Sequence, residues 1–446
     1  MTTIKLDPGA ALLLDALHGA GHAAYAVGGC VRDSLLGLDP HDWDLCTSAR
    51  PEQVMELFGE EKCIPTGLQH GTVTVKQGGR LYETTTFRTE GAYSDGRHPD
   101  AVCFVPDVRE DLARRDFTIN AMAYSAEEGL IDPFGGRDDL AAHLVRAVGE
   151  PERRFEEDAL RILRLYRFAA RFGFAIDPAT GAAARALGPH LDCVSAERIQ
   201  EELLKLLAAP RPGSYLEPAV LAVVLPELEP EKQPEQFAEL CRTIDRIEPT
   251  AENVPARLAA LLCPLGEAGA RKALRKLKCS NALTDEVTAL EREAGGGAGS
   301  FSKDRPLGWD PVAAGNRAGD GMARFVSEEK APGTPNTTLT VQAKRLLGRY
   351  ELPTIQRLTA LCSARHPEQT GALAALRAEA ERLTAENACC RVSQLAVNGR
   401  DLMAAGVRPG PGLRQVLNAL LEAVITGQTP NEKDALLAAA AQFSAS

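Results

Sequence analysis

The hydrophobic pattern divides the chain into an N-terminal part with mixed strand and helix signals and a longer helical part. An apolar run from His22 to Val27 predicts a strand, which Gly28-Gly29 ends, and helical spacing follows in CVRDSLLG. Residues 42–46 predict a second short strand, and the next helix is predicted over Pro51 to Leu57. Strand formers at 71–76 and 80–87, separated by a glycine pair, predict a β-hairpin.

From about residue 137 onward the pattern is helical. One long helix is predicted over Phe155 to Phe174 and another over Ala196 to Leu207. Glycine density at 295–299 and the loose stretch to Pro335 predict a linker or large loop. Helical patterning resumes at Val341 and is interrupted by the turn GVRPGPG at 406–412. We therefore expect an α+β fold, with an α/β head followed by a helical remainder.

Length and charge narrow the possible partners. A chain of 446 residues suggests roughly three domains, and 50 basic against 61 acidic residues give a net charge of −11. This balance argues against a protein that coats nucleic acid with a broadly basic surface, although not against a local basic surface that binds it. Nine acids against three bases lie in residues 217–252, whereas residues 153–171 hold six arginines and three acids. Basic residues are therefore concentrated in one segment of an otherwise acidic protein.

Apolar runs and cysteines indicate the compartment. No run reaches the roughly 18 apolar residues of a membrane helix, and no basic region precedes the first apolar run, so we expect no membrane partner. The 11 cysteines are odd in number and form no CxxC motif. This usage predicts a reducing, cytoplasmic setting in which most cysteines are small core residues.

A pair of carboxylates is the first candidate for chemistry. Asp42 and Asp44 are two apart in a predicted strand, so both side chains would leave the same face. Glu83, in the second strand of the hairpin, is a candidate third carboxylate. Such oxygen ligands suit Mg²⁺, and three of them can hold two ions roughly 3.5–4 Å apart, as in nucleotidyl transfer. The alternative is a solvated strand end or turn.

The glycine turn makes the first interpretation more specific. Gly28 and Gly29 lie between a strand and a helix, where backbone N–H groups can meet a phosphate, and Arg32 follows them. Alone, such a turn is equally consistent with a tight connection. Followed by a carboxylate pair about ten residues later, it favours transfer of a nucleotide from a triphosphate.

The predicted helix over 155–174 carries a row of charges. Asp158, Arg161 and Arg164 step by three, which would place them on one helical face, and Arg167 continues the row. A salt-bridged solvated face is the alternative, but the many apolar residues of this helix leave little room for it. Arginine only donates and ionised aspartate only accepts hydrogen bonds.

An Asp/Arg pair can therefore read a base. Arg161 would donate to N3 of cytosine or N1 of adenine, and Asp158 would accept from the exocyclic amino group. Uracil and guanine present the opposite pattern, and mismatched buried polar groups can reject a substrate by roughly 10⁴-fold or more. The pair would select C and A without a template strand.

Six segments with recognisable motifs follow one another along the chain: YAVGGCVRD (25–33), HDWDLCTSA (41–49), YETTTFRTEGAYSDGRHPD (82–100), RRDFTINAMA (114–123), DPFGG (132–136) and EDALRILRLYRF (157–168). In this order they resemble the motifs of a known family, the bacterial class II nucleotidyltransferases that add the CCA end to tRNA. The resemblance continues through SAERIQEELLKLL (195–207) and into the tail at 395–437. It is weakest after residue 290.

The resemblance implies an architecture. A polymerase-β-like nucleotidyltransferase head (1–140) would precede a helical neck that recognises the base (141–207), an RNA-binding body (208–335) and a tRNA-binding tail (336–446). It implies Mg²⁺ as cofactor, CTP and ATP as substrates, and the acceptor end of tRNA as partner. No obligatory protein partner and no built-in phosphohydrolase module are expected.

The resemblance also implies roles for the site residues. Asp42 and Asp44 would hold metal, with Glu83 as a third carboxylate, and Gly28, Gly29 and Arg32 would meet the triphosphate. Two further residues, Arg115 and Asp116, would contact phosphate and ribose, although an RRD before an apolar run could equally be a helix cap. The predicted base-reading pair is Asp158 and Arg161, with Arg164 and Arg167 supporting the phosphates.

Related activities share this head. Full CCA addition goes with a flexible head segment, which is present as Arg88 to Pro106, whereas poly(A) polymerases usually carry basic extensions that this chain lacks. We therefore expect CCA addition, with CC addition, poly(A) tailing or a non-catalytic RNA-binding role as alternatives. A transferase acting on a small molecule is a further alternative, against which the long helical part argues.

A basic segment at 271–278, RKALRKLK, holds five bases in eight residues. Arg271, Arg275 and Lys278 would share one helical face and contact tRNA. The alternative is a solvated helix face.

Overall fold

The computed structural model describes residues 3–90, 102–295 and 337–443. Contacts divide the chain into two compact units, residues 1–241 with 276–278, and residues 242–275 with 279–446. Strands occur in the N-terminal part and helices dominate the remainder, so the predicted α+β class is confirmed. The linker predicted over 295–335 lies outside the described residues beyond Gly295.

The first unit is built on a mixed seven-stranded sheet in the order β3-β4-β5-β2-β1-β8-β9. Strand β1 pairs antiparallel with β2 and β8, while β2 pairs parallel with β5. Two short two-stranded sheets, β6-β7 and β10-β11, complete the strands. The strands are β1 (Ala24–Val27), β2 (Leu45–Thr47), β3 (Cys63–Gly67), β4 (Thr72–Gln77), β5 (Arg80–Thr86), β6 (Arg88–Glu90), β7 (Val102–Phe104), β8 (Ala123–Ser125), β9 (Gly129–Ile131), β10 (Leu144–Val145) and β11 (Ala175–Ile176).

The predicted hairpin is confirmed. Strands β4 and β5 pair antiparallel up to Gln77 and Arg80, leaving a two-residue turn. Both turn residues, Gly78 and Gly79, have positive φ (58° and 80°), which the preferred hairpin turn requires and glycine adopts without steric cost.

The predicted second strand is displaced. It begins at Leu45 rather than at residue 42, so Asp42 and Asp44 precede the strand instead of lying in it. All three residues of β2 are buried, whereas both aspartates are exposed. Trp43, between the two aspartates, is buried as well, so exposed and buried side chains alternate here and both carboxylates stay on the solvent side just before the strand.

Ten helices of the first unit lie in the described residues, and an eleventh, α11 (Pro234–Arg246), contains the boundary at 241. The helices predicted over 51–57 and 196–207 are confirmed. The ten helices are α1 (Pro8–Gly19), α2 (Gly29–Leu35), α3 (Pro51–Phe58), α4 (Val108–Ala113), α5 (Gly136–Ala141), α6 (Pro151–Glu157), α7 (Leu160–Phe172), α8 (Pro178–Ala186), α9 (Ala196–Leu207) and α10 (Pro218–Val224).

The prediction of one long helix over Phe155 to Phe174 is wrong, because the helix is interrupted between the end of α6 at Glu157 and the start of α7 at Leu160. Asp158 is extended (φ −149°, ψ 102°), and its Oδ1 accepts from the backbone N–H of Leu160 at 3.1 Å. A short carboxylate competes with the helix for local N–H groups, which favours a helix end there. Asp158 therefore does not share a helical face with Arg161 and Arg164.

The expectation of purely helical structure after residue 137 is also wrong in one place. Strands β10 and β11 form a parallel pair in which Leu144 lies beside Ala175. Two-residue strands are too short for a periodic signal, so the sequence pattern does not reveal them.

The core of the head surrounds the central strands. It joins residues of β1, β2, β8 and α4 to the segments that follow β5 and β10. Its buried members are Tyr25, Val27, Cys46, Phe87, Val108, Leu112, Ala121, Ala123 and Val148.

The second unit is helical throughout its described residues. A core near its C-terminus is formed by α18, α19 and α20 with residues 389–397. The predicted turn at 406–412 lies between α18 and α19. The helices are α12 (Val254–Leu262), α13 (Gly266–Lys276), α14 (Asn281–Glu293), α15 (Thr337–Arg349), α16 (Leu352–Arg365), α17 (Thr370–Ala385), α18 (Gly399–Ala404), α19 (Pro411–Thr426) and α20 (Lys433–Phe443).

The prediction of one helical face for the basic segment is wrong at its end. Helix α13 ends at Lys276, and Lys278 has a φ of 58°, which takes it off the helix. Arg271 and Arg275 remain on α13. Arg271 is paired with Asp285 (2.8 Å) and donates to the hydroxyl of Thr288 (2.8 Å).

The prediction that most cysteines are core residues is confirmed. All 11 are free thiols, and seven of them are buried. Among the described residues, no helix is long and apolar enough to cross a bilayer.

Glu291 of α14 makes the stability of the second unit depend on pH. It is fully buried, and within the described residues neither carboxylate oxygen has a hydrogen-bond partner. Burial raises its pKa from 4.5 to about 8, against the opposing charge of Arg365. Between these values the folded state keeps a proton that the unfolded chain has released, so stability falls as pH rises through this window.

The variant Glu291→Gln is therefore expected to lose less stability than the parent between pH 6 and pH 9. The expected difference is on the order of a few kcal/mol. Urea unfolding at several pH values measures it, with the exposed Asp434→Asn as a control that should follow the parent. Parallel pH profiles for parent and Glu291→Gln would exclude this role for Glu291.

Candidate nucleotide-binding site

A cleft of about 660 Å³ in the first unit collects most of the predicted site residues. Its walls come from the α2 turn, the end of the sheet, the segment after α4, and helices α7 and α9. Nine arginines against three aspartates (Asp44, Asp116 and Asp158) make it strongly basic, in a protein of net charge −11. The arginines are Arg32, Arg88, Arg114, Arg115, Arg161, Arg164, Arg167, Arg171 and Arg198.

Of the three predicted carboxylates, Asp44 lines this cleft, whereas Asp42 and Glu83 do not. Leu45 of β2 pairs with Thr84 of β5, so the residues just before them, Asp44 and Glu83, are neighbours at the sheet end. Desolvation, together with the charges of Glu83 and Asp42, raises the pKa of Asp44 to about 6, against the effect of Arg115. Asp44 is therefore repelled by both neighbouring carboxylates, and a bound cation would relieve this repulsion.

The donor set fits Mg²⁺ in chemistry, since all three groups are carboxylates, the ligands that this hard cation prefers. The described residues do not, however, form a group of three or more His, Cys, Asp or Glu side chains close enough to hold a metal ion. Asp42 and Asp44 stay the predicted ligands, and Glu83 as a third ligand stays a prediction.

The glycine turn brings an arginine close to the backbone. Gly28 has a φ of 76°, and a Cβ on it would lie 2.8 Å from Nη1 of Arg115. A side chain at this position would be strained and would displace the guanidinium. The N–H of Gly28 donates to the carbonyl of Met122 (3.1 Å), so this N–H is engaged in the protein and not available to a phosphate. Gly29 lines the cleft beside Arg32.

Arg32 is buried at the bottom of the cleft. Its Nε donates to Oδ1 of Asp33 at 2.7 Å, and its Nη1 donates to the amide oxygen of Asn120. The guanidinium lies 4.8 Å from the ring centroid of Phe172 and 5.3 Å from that of Phe168. These contacts fix its orientation, although they also use several of its donors.

Asp116 is engaged by protein groups. Arg164 donates to its Oδ2 through Nε (2.9 Å) and Nη2 (2.6 Å), and Asn120 donates to Oδ1 (3.0 Å). Although burial alone would raise the pKa of Asp116, Arg164 and Asn120 hold it well below its usual range. Asp116 is thus a fixed anion that orients Arg164, a contact that the RRD motif alone does not reveal.

The arginines of α7 form a row over an aromatic pair. Arg167 lies 4.3 Å from the ring centroid of Phe168, and Arg171 lies 5.0 Å from that of Phe172. Arg167 also pairs with Glu202 of α9 (3.0 Å). The arginine row therefore lines the cleft, and Glu202 of α9 offsets part of its positive charge. This arrangement excludes the alternative that the row is only a solvent-exposed, salt-bridged helix face.

Asp158 and Arg161 both line the cleft, but each is held by other partners. Asp158 Oδ2 accepts from Nη2 of Arg198 at 2.8 Å. Arg161 Nη1 donates to Glu157 (2.8 Å) and to the carbonyl of Arg154 (3.1 Å). An acceptor and a donor are therefore fixed separately rather than neutralising each other.

Both side chains keep hydrogen-bonding capacity. Arg161 has five N–H donors, of which three meet protein oxygens among the described residues, the third being the carbonyl of Arg114 at 3.0 Å. Each oxygen of Asp158 accepts one described bond, from Leu160 and from Arg198, and can accept another. The arrangement can present donors and an acceptor to a base edge.

Sequence reasoning missed several of the residues that shape the site. These residues lie in the segments that carry the family resemblance, but nothing in their spacing shows which side chain they meet. They are Arg114, Asn120, Glu157 and Arg198.

Three family models match separate parts of the chain. The Poly A polymerase head domain matches residues 24–146, which include the glycine turn and the carboxylates. A model described as "Probable RNA and SrmB- binding site of polymerase A" matches residues 173–232. A model for the second domain of tRNA nucleotidyltransferases matches residues 352–440.

Whole-chain relatives agree with these matches. The CCA-adding enzyme of Lactobacillus helveticus is 35% identical over 426 residues, covering 95% of this chain and 94% of that protein. The crystal structure of the Bacillus stearothermophilus CCA-adding enzyme in complex with CTP is 31% identical, with a TM-score of 0.74 and 98% of each chain covered. The Thermotoga maritima CCA-adding enzyme complexed with tRNA shares the fold, at 21% identity, a TM-score of 0.63, and 98% and 96% coverage. The chain belongs to the CCA-adding enzymes, a family of tRNA nucleotidyltransferases.

Proposed function

We propose that this protein adds C, C and A in turn to the 3′ end of tRNA, using CTP and ATP and releasing pyrophosphate. The observation that carries the proposal is the arginine-lined cleft in which Asp158 and Arg161 are fixed separately, with Asp44 at its other end. Family membership and the CTP complex of the Bacillus stearothermophilus relative support the choice of substrates.

Asp42 and Asp44 would hold Mg²⁺ in this proposal, with Glu83 as a third carboxylate. The ion would acidify the attacking tRNA hydroxyl and neutralise charge on the phosphates. Desolvation and, after it, the like charges of Glu83 and Asp42 raise the pKa of Asp44, and the presence of these neighbouring carboxylates supports a cation at this place.

The triphosphate would lie against the arginines next to the glycine turn. Arg115 lies over Gly28, and Arg32 lies beside Gly29. Arg164 and Arg167 extend this wall toward the base-reading end. Charge-assisted hydrogen bonds from guanidinium groups suit phosphate oxygens and offset their negative charge as pyrophosphate departs.

Base choice would rest on Asp158 and Arg161. The remaining donors of Arg161 would meet the ring nitrogen of C or A, and Asp158 would accept from the exocyclic amino group. Glu157 and Arg198 position these two side chains, so the pattern is set before the nucleotide enters. The same pattern mismatches U and G, which leaves buried polar groups unpaired.

The most direct test uses a tRNA that lacks its CCA end, Mg²⁺ and each nucleotide singly or in mixtures. We expect addition of two residues with CTP alone and of three with CTP and ATP. Growth that stops after two residues in the mixture would identify a CC-adding enzyme, and a long ladder with ATP alone a poly(A) polymerase. No extension with any mixture would indicate a non-catalytic RNA-binding relative.

The division into head (1–140), neck (141–207), body (208–335) and tail (336–446) is part of the proposal. The family models at 24–146, 173–232 and 352–440 support a separate head and a separate C-terminal part. A reducing cytoplasm is the proposed setting, supported by the free and mostly buried cysteines.

The basic segment at 271–278 is proposed to contact the tRNA backbone. Arg275 and Lys278 are its better candidates, because Arg271 is already paired with Asp285. We expect Arg275→Gln with Lys278→Gln to weaken tRNA binding and to reduce the slope of log K against log salt by about two. Titration at several salt concentrations measures this, with Arg271→Gln as the comparison that should change the slope less. An unchanged slope in the double variant would place the contact elsewhere.

A further inference from the structure

A buried carboxylate, Asp111, lies behind the wall of the cleft. It belongs to α4 and is fully buried. Its Oδ1 accepts from Nε (3.0 Å) and Nη2 (2.9 Å) of Arg114, and its Oδ2 accepts from Nη2 of Arg115 (3.3 Å). The backbone N–H of Arg88 also donates to Oδ1 (3.3 Å). Two arginine side chains that line the cleft, and the backbone of a third arginine, thus meet at one anion.

The two arginines that Asp111 holds make different further contacts, Arg115 through its guanidinium and Arg114 through its backbone carbonyl. Arg115 continues to the glycine turn, where its Nη1 would lie 2.8 Å from a Cβ on Gly28. Arg114 carries the carbonyl to which Nη2 of Arg161 donates (3.0 Å). Asp111 therefore holds the side chain of Arg115 beside the glycine turn and the side chain of Arg114, which lines the same cleft.

The charge of Asp111 is maintained in the buried position. Burial alone would raise its pKa, but the adjacent Arg114 and Arg115 hold it below the usual range. A buried anion that meets two guanidinium groups orients both of them, whereas an apolar residue of the same size would remove these charge-assisted hydrogen bonds.

We propose that Asp111 is a positioning residue for nucleotide binding, which holds Arg114 and Arg115 in the orientation that receives the triphosphate. The inference rests on the proposed function of the cleft. Without the anion, the arginine side chains would become ordered only when the nucleotide binds, and the entropy cost of that ordering would weaken binding. KM for the nucleotide should therefore change more than kcat.

The test compares Asp111→Asn with the parent in CTP and ATP addition to tRNA. We expect KM for both nucleotides to rise roughly tenfold to 100-fold, with a smaller change in kcat. Inhibition by inorganic tripolyphosphate, which has no base, should weaken by a similar factor. The matched control is Asp7→Asn, a carboxylate of the same unit that pairs with Arg80 but does not line the cleft, and it should keep the KM of the parent.

A purely structural role gives a different result. Loss of folded enzyme lowers kcat through the active fraction while KM and tripolyphosphate inhibition stay unchanged, and this outcome would overturn the proposal. If Asp111→Asn does not fold, Arg115→Lys tests the same contact from the other side. It keeps the charge but loses the planar fork, so KM should rise, and a KM equal to that of the parent would also overturn the proposal.

A double variant separates positioning from general weakening. In an Arg115→Gln background, Asp111→Asn should raise KM by a smaller factor than it does in the parent, because the main group that it orients is absent. Equal factors in both backgrounds would contradict the inference. If the parent itself extends no tRNA, the proposed function fails; if the parent is active and Asp111→Asn keeps its KM, only this inference fails.

Discussion

Replacing Asp42 or Asp44 with alanine is expected to abolish nucleotide incorporation while leaving tRNA binding largely intact. Both carboxylates precede β2 at the end of the sheet, and Asp44 lines the cleft. They are the proposed Mg²⁺ ligands, and a metal ion contributes several kcal/mol of transition-state stabilisation. Loss of either ligand should therefore lower the rate by about 10³-fold or more.

Two measurements on the same variants separate chemistry from binding. Extension of a radiolabelled tRNA gives the rate, and filter binding gives the Kd for tRNA. The control is Asp39→Ala, an exposed carboxylate in the same connection between α2 and β2, which should keep the rate of the parent. Full activity in Asp42→Ala or Asp44→Ala would rule out the proposed metal site, and a matching loss in Asp39→Ala would point to damage of the connection instead.

The second large effect concerns the choice of base. Asp158→Ala is expected to reduce the preference for CTP over UTP, and for ATP over GTP, by about 100-fold or more. The substitution removes the only acceptor in the proposed pair, and it frees Arg198, whose Nη2 donates to Asp158 at 2.8 Å. The exocyclic amino group of C or A would then be left unpaired, so the correct bases lose their advantage.

Competition between nucleotides measures this selectivity directly. Extension in mixtures of CTP and UTP, or of ATP and GTP, gives the ratio of kcat/KM values for each pair. The matched control is Glu156→Ala, an exposed acid two residues earlier on α6, which should retain the parental ratio. Unchanged ratios in Asp158→Ala would exclude Asp158 from base selection and leave the choice to other groups of the cleft.

The chemical character of the site could be predicted from the sequence. The glycine turn, the carboxylates and the arginine row are recognisable from residue type and spacing. The 12 residues predicted for the nucleotide site are five carboxylates, two glycines and five arginines. The hairpin at Gly78-Gly79 and the helix at 196–207 were predictable as well, because both depend on contacts between near neighbours in the chain.

Local backbone geometry was less predictable. Helical periodicity continues through Asp158, yet the chain is extended there, since the carboxylate binds the N–H of Leu160. The periodic pattern reports which side chains are apolar, but not whether a polar side chain takes a backbone donor from the helix. The prediction of a single helical face for the basic segment at 271–278 was wrong for a similar reason. Its periodicity does not show that α13 ends at Lys276, before Lys278.

The family, the α+β class and the chemical groups available for nucleotidyl transfer follow from the amino-acid sequence. Which of these groups meet depends on the folded chain: Arg198 holds Asp158 from 40 residues away, and Arg164 holds Asp116 across 48 residues. Such pairs depend on how α7 packs against α9 and against the segment after α4. Periodicity carries no information about contacts at that separation, because it registers only neighbours within one or two helical turns.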